Sequence, residues 1–328
     1  MNHEFQGGIM EYVEIRNTGI KISRIGLGTW QFSEAWGVTN YEDAKKIVEK
    51  ALEMGINFFD TAMVYGNGMS EEFLGRALRE LSVKREEVFI ATKIPGDFLT
   101  PEDVFRSVDK SLKRLGTEYI DLLQLHWPPC WHNHPTCPYM RALEKLVDLG
   151  KVRFLGVSNY PVKLLEEVRS CLSKTDIVSM QYRYNLIERQ AEIELIPYAE
   201  KNNMIFLPWS PLSKGALTGK YSLDNLPEFQ DVRHRDPIFH PENFKKIQPL
   251  IDALKQLSQK YNKSPAQISL NWMIMYSKNI VPIPGAKKPE HVVDNANSVG
   301  WRLSYEDWRL LDEISKGIRI SYATWYLY

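Results

Sequence analysis

Eight short apolar runs, each followed by a stretch of helical spacing, predict an α/β chain of the closed (β/α)8 (TIM) barrel class spanning residues 1–328 as one domain. The runs are RIGLGT (24–29), INFFDT (56–61), EVFIATK (87–93), YIDLLQLH (119–126), VRFLGVS (152–158), DIVSMQ (176–181), MIFLPWS (204–210) and NIVPIPG (279–285). Their apolar character is nearly continuous rather than alternating, as expected for parallel strands buried on both faces. A doubly wound sheet is the competing architecture. It would need a Gly-x-Gly-x-x-Gly turn after the first strand, and Gly26-Leu27-Gly28 lacks the third glycine.

Ahead of the repeat, EYVEIRNTGIKIS (11–23) reads as a β-hairpin turning at Asn17-Thr18-Gly19. Residues 1–10 read as a flexible lead-in without the apolar core of a signal peptide. After the first run, YEDAKKIVEKALEMG carries Ala44, Ile47, Val48, Ala51 and Leu52 on one helical stripe, stopped by Gly55. Thr100-Pro101-Glu102-Asp103 supplies a cap, a first-turn proline and early acids for the next helix, and Gly116 closes it. Asn159-Tyr160-Pro161 opens another. Residues 211–240 read as a long polar loop, 304–317 as an extra helix, and 318–328 as an aromatic C-terminal tail.

Lys plus Arg equals Asp plus Glu, 41 against 41, so the chain has little electrostatic hold on nucleic acid or anionic membrane. No stretch approaches the roughly 20 apolar residues of a membrane span. Three cysteines are too few for a disulfide framework, so a cytoplasmic, reducing setting is expected.

Barrel enzymes carry their chemistry at the C-terminal ends of strands. Here the second run ends in Asp60, with Tyr65 a short loop beyond. The third ends in Lys93 and the fourth in His126. Read alone, Asp60 and Lys93 would equally be a structural ion pair. With a phenol and an imidazole on the same rim, they suit general acid catalysis at an oxygen gaining negative charge, as in carbonyl reduction. Lys93 is expected to lower the Tyr65 pKa from its usual value of about 10, and Asp60 to hold Lys93 charged.

These residues, with GINFFDTAMVYGNGMSEEFLGRAL (55–78), ATK (91–93), LLQLHWP (122–128), KVRFLGVSNY (151–160), PWSPLSKGALTGKY (208–221) and IPGAKKPEHVVDN (283–295), resemble the aldo-keto reductases over nearly the whole chain. The resemblance places the family's catalytic Tyr, Lys, Asp and His on Tyr65, Lys93, Asp60 and His126. It implies a nicotinamide cofactor in the barrel mouth, with Ser158, Asn159 and Gln181 on the carboxamide and Trp209 against the ring. It implies that Ser210, Pro211, Leu212, Gly215 and Lys220 follow the pyrophosphate, that Gly28, Thr29 and Trp30 match the family's first-strand end near the barrel entrance, and that these three and Asp60 contact the cofactor. It implies that Gly285, Ala286, Lys287, Lys288 and His291 meet the adenosine 2′-phosphate, and that Asp294 and Asn295 meet the adenine. His291 stands where the family often carries Arg. Lys287 and Lys288 still favour NADPH, with NADH acceptance left open. No metal is required.

Trp30, Trp36, Tyr65, His126 and Trp127 are candidate walls for a small, apolar or aromatic carbonyl substrate. The tail aromatics Tyr322, Trp325 and Tyr326 are candidates to shape the same pocket. The rival reading is a non-catalytic accessory or regulatory protein that binds nicotinamide nucleotide on this fold; an intact His126 speaks for the enzyme. The oligomeric state stays open.

One motif stands apart. LHWPPCWHNHPTCPYM (125–140) carries Cys130, His132, His134 and Cys137 in the loop after His126, with the next helix expected near Met140. The residue types suit zinc, but the spacing matches no common zinc pattern, and a Cys130–Cys137 disulfide is disfavoured in a reducing setting. The expected role is a rim loop stiffened by Pro128, Pro129, Pro135 and Pro138.

Overall fold

A computed structural model describes residues 10–36, 40–129 and 132–321. Seven strands form one parallel sheet in sequence order: β3 (Leu27–Gly28), β4 (Phe58–Asp60), β5 (Phe89–Ile94), β6 (Ile120–Leu125), β7 (Val152–Ser158), β8 (Ile177–Arg183) and β9 (Ile205–Trp209). The eighth run closes the barrel without forming a full ladder. Val281 and Ile283 donate to Phe206 and Pro208 on one side, while Pro282 and Pro284 accept from Gly26 and Gly28 on the other. The two prolines have no N–H to return toward β3, so on that side only the bridge Gly28↔Gly285 registers; on the β9 side the bridge is Phe206↔Ile280. Gly28 permits this approach, since a Cβ would sit 2.7 Å from the Ile283 carbonyl oxygen.

The hairpin forms as expected, from β1 (Tyr12–Glu14) and β2 (Lys21–Ser23), with Asn17 and Gly19 both at positive φ. Its Ile15 and Ile22 pack inside the barrel against Phe58, Phe89, Leu122 and Ile205, residues from the first halves of their strands. The hairpin therefore plugs the N-terminal end and leaves the other end open. The buried stripe Ala44, Ile47, Val48 and Ala51 faces the sheet from α1 (Tyr41–Glu53), which Asn40 caps at the Asp43 N–H. Thr100 caps α3 (Pro101–Leu115) likewise, and Gly55 and Gly116 take the left-handed conformation expected of helix-ending glycines. The outer layer also holds α2 (Met69–Glu80), α4 (Thr136–Asp148), α5 (Val162–Ser170), α6 (Leu195–Lys201), α7 (Pro241–Tyr261), α8 (Pro265–Tyr276) and α9 (Pro289–Ala296). The extra helix is α10 (Tyr305–Lys316), capped by Ser304.

Three expectations change. Residues 211–240 are not a plain polar loop: they contain 3₁₀ turns at Ser213–Thr218, Leu223–Asn225 and Pro237–Phe239. They also hold an aromatic cluster of their own, Tyr221–Phe229 at 5.4 Å and Phe229–Phe239 at 4.6 Å. Helix α4 starts at Thr136, not near Met140, so Cys137 lies in its first turn. There it forms a disulfide with Cys171, which follows α5, the Cα atoms 4.9 Å apart. The partner of Cys137 is therefore Cys171 and not Cys130, because the fold brings α4 and α5 side by side. Cys130 and the tail residues Tyr322, Trp325 and Tyr326 lie outside the described residues, as does most of the lead-in. Among the described residues there is no cluster of three or more potential metal ligands, and no helix long and apolar enough to cross a membrane.

Candidate active site

Strand register brings the sequence-predicted groups to one level at the open end of the barrel. Gly28 pairs with Asp60, Lys93 with Gln124, and Ser158 with Gln181. His126 follows β6, its N–H donating to the Ile94 carbonyl, and Tyr65 opens the 3₁₀ turn after β4. The fully buried Lys93 ammonium donates to Asp60 Oδ1 at 2.5 Å, the Thr61 carbonyl at 2.8 Å and the Tyr65 hydroxyl at 3.4 Å. Asp60, Tyr65 and His126 line the open cleft, whereas Lys93 lies behind them and reaches it only through its partners.

The electrostatics correct one expectation. Burial of the Tyr65 phenol raises its pKa by more than the Lys93 ammonium lowers it, so the hydroxyl stays a proton donor. Burial pulls Lys93 down, but Asp60 and Tyr65 together outweigh it and leave the ammonium's pKa raised. Burial, then the Lys93 charge, drives His126 well below the ordinary histidine value, so it is a neutral imidazole near pH 7. Its Nδ1 is buried without a hydrogen-bond partner among the described residues.

Beside these groups stands an aromatic wall. Trp30 meets Trp36 edge-on at 5.4 Å and stacks with Tyr65 at 6.1 Å. His126 touches the rings of Tyr65 at 5.7 Å and Trp127 at 4.5 Å. The Trp127 indole is held from behind by the Asp97 carboxylate at 3.2 Å. All five expected pocket residues line the same cleft, of about 730 Å³.

The cleft continues from this wall past Ser158, Asn159, Gln181 and Trp209 toward α9. Asn159, at positive φ, donates to the His126 carbonyl and accepts from Trp209 Nε1 at 3.1 Å. The Arg183 guanidinium lies over the Trp209 ring at 5.4 Å. Trp209 is thus a held, half-exposed ring rather than a core filler. Every residue expected to contact the cofactor lines the cleft except Ala286, which is buried behind it: Gly285 and Lys287 face the cleft and the side chain between them turns inward.

The α9 end differs from expectation in one respect. The Lys287 ammonium is engaged across the cleft, donating to the Trp36 carbonyl at 2.9 Å and lying 3.4 Å from Asp231. Burial, then the nearby Arg233 charge, lowers its pKa. Arg233 pairs with Asp231 and the Tyr221 hydroxyl and stacks on Phe229 at 4.2 Å. A strap from residues 229–236 therefore crosses to Trp36, with Lys287 as its latch. Lys220, Lys288 and His291 line the cleft at the same end. The sequence reading missed Gln31, Lys214, Thr218, Tyr221, Arg233, Ala266, Ile283 and Pro284 as lining residues. Half of them, Lys214, Thr218, Tyr221 and Arg233, come from the segment treated as plain loop, whose Tyr221-Phe229-Phe239 spacing was the available signal.

Residues 24–316 match the aldo/keto reductase family, and an aldo-keto reductase of Bacillus subtilis, YhdN, is 35% identical over 318 residues, covering 93% of each chain. The chain belongs to the aldo/keto reductase family. A versiconal hemiacetal acetate reductase of Aspergillus parasiticus is 31% identical, covering 93% of this chain and 96% of that one. Among solved structures, a glycerol dehydrogenase of Gluconobacter oxydans superposes with a TM-score of 0.85 at 33% identity, covering 95% of this chain and 98% of that one. The expected barrel class is thereby established for this aldo/keto reductase.

Proposed function

We propose that this aldo/keto reductase reduces aldehydes or ketones to alcohols, reversibly and with NADPH as the preferred donor. The observation that carries the reading is the single contact chain Asp60–Lys93–Tyr65, which ends at a hydroxyl facing the cleft beside His126. A nicotinamide cofactor held in the cleft would supply the hydride. Tyr65 donates its proton to the carbonyl oxygen as negative charge develops there. Lys93 stabilises the phenolate that remains, and Asp60 anchors Lys93. His126, neutral, donates a hydrogen bond to the same oxygen and orients it. The cleft's size and its held Trp209 ring suit a dinucleotide, with Ser158, Asn159 and Gln181 on the carboxamide.

At the adenosine end Lys288, Lys220 and His291 are the proposed 2′-phosphate partners, while Lys287 would hold the strap to Trp36 at the same end of the cleft. The aromatic wall of Trp30, Trp36 and Trp127 favours an apolar or aromatic carbonyl. An accessory protein without turnover would not need all four proton-handling groups in register, so the enzyme reading is preferred. The test is loss of reduced-nicotinamide absorbance with a panel of aldehydes. Tight nucleotide binding without turnover on any of them would turn the reading to the accessory role.

A further inference from the structure

Gln124 played no part in the sequence reading, and it does not line the cleft. It is fully buried on β6, opposite Lys93 in register, and it joins Asp60 to Gln181. Gln124 Nε2 donates to Asp60 Oδ2 at 3.1 Å, while Gln181 Nε2 donates to that same oxygen at 2.9 Å and to Gln124 Oε1 at 3.0 Å. Gly156 makes room for it: a Cβ there would lie 3.1 Å from Gln124 Cγ.

This triangle has one self-consistent arrangement of its amides. As the ion-pair partner of Lys93, Asp60 is a carboxylate and can only accept. Gln124 must therefore turn its NH₂ to Asp60, which points its carbonyl oxygen at Gln181. Gln181 then faces two acceptors and must give an N–H to each. What it has left for the cleft is its carbonyl oxygen. Flipping Gln181 would set its oxygen 2.9 Å from Asp60 and 3.0 Å from Gln124, two acceptor–acceptor contacts in a buried site.

We propose that Gln124 is a positioning residue that fixes the Gln181 amide with its oxygen toward the cleft, so that the cleft selects a ring bearing carboxamide N–H donors over one bearing a carboxylate. The inference rests on the nicotinamide reading above. Without Gln124, one Gln181 N–H loses its acceptor and can swing toward the cleft, where it would welcome a carboxylate.

The experiment titrates protein fluorescence with NADP⁺, with nicotinic acid adenine dinucleotide phosphate, and with 2′,5′-ADP, which lacks the ring and reports only the adenosine end. The wild type is expected to bind NADP⁺ at least about 10-fold more tightly than its acid analogue. Gln124→Met, of similar length, and Gln124→Leu are expected to narrow that ratio about 3–10-fold, the worth of one hydrogen bond, in whichever variant keeps wild-type 2′,5′-ADP affinity. A wild type that binds both dinucleotides equally overturns the proposal before any variant is made. So does an unchanged ratio in a variant that still binds 2′,5′-ADP. If the wild type binds 2′,5′-ADP but neither dinucleotide, the nicotinamide reading itself fails, and this inference with it.

Discussion

Replacing Lys93 by Met would remove the one full positive charge that pairs with Asp60 among the described residues and leave a carboxylate that is 2% exposed. Breaking a buried ion pair from one side costs about 3–5 kcal/mol, because the remaining charge is desolvated without compensation. Asp60 keeps amide donors from Gln124 at 3.1 Å and Gln181 at 2.9 Å, which places the loss nearer the lower figure. At roughly 2.1 cal/mol/K per residue, the 328 residues carry an unfolding entropy of about 0.7 kcal/mol/K, so the melting temperature should fall by about 4–7 °C. The assay is thermal unfolding followed by circular dichroism at pH 7, run beside the double variant Asp60→Asn/Lys93→Met. Neutralising Asp60 should restore at least half of the lost stability. It should restore no activity, because Tyr65 would still lack the ammonium 3.4 Å from its hydroxyl. A double variant melting no higher than Lys93→Met would show that the damage is lost packing rather than an isolated charge, and would refute the ion-pair argument.

Three further outcomes follow from the same geometry. Because burial and Lys93 hold the His126 pKa well below 6.5, the imidazole is already neutral at that pH, and kcat/KM for reduction should run flat through it; an inflection there that vanishes in His126→Gln would contradict this. Lys288→Ala should weaken NADPH by about 10-fold while sparing NADH, read by fluorescence titration, and equal weakening of both would remove Lys288 from the phosphate site. Lys287→Ala should instead weaken both nucleotides and speed their release in stopped-flow, since it unfastens the strap at the Trp36 carbonyl; a selective loss of NADPH would return Lys287 to the phosphate.

The parts legible in the sequence are those where one residue type answers one local requirement. Apolar runs named the strands, Thr100 marked a helix start, and the polar residue ending each run pointed to Asp60, Lys93 and His126. What escaped depends on pairs distant in the chain. Cys171 meets Cys137 across 34 positions, and Lys287 reaches Trp36 across 251. Gln124, a polar residue within an apolar run, gains a role only when register sets it opposite Lys93. The direction of the Tyr65 shift also escaped, because residue types named its charged neighbour and gave no measure of how deeply the phenol is buried.

In the proposed reaction Tyr65 delivers the proton and does little to hold the nucleotide. The most direct test is Tyr65→Phe, which keeps the ring that stacks on Trp30 and removes only the hydroxyl. Aldehyde-dependent loss of reduced-nicotinamide absorbance should fall at least about 100-fold, while NADPH affinity by fluorescence titration stays within about twofold. Turnover retained near the wild-type rate would rule out Tyr65 as the proton donor.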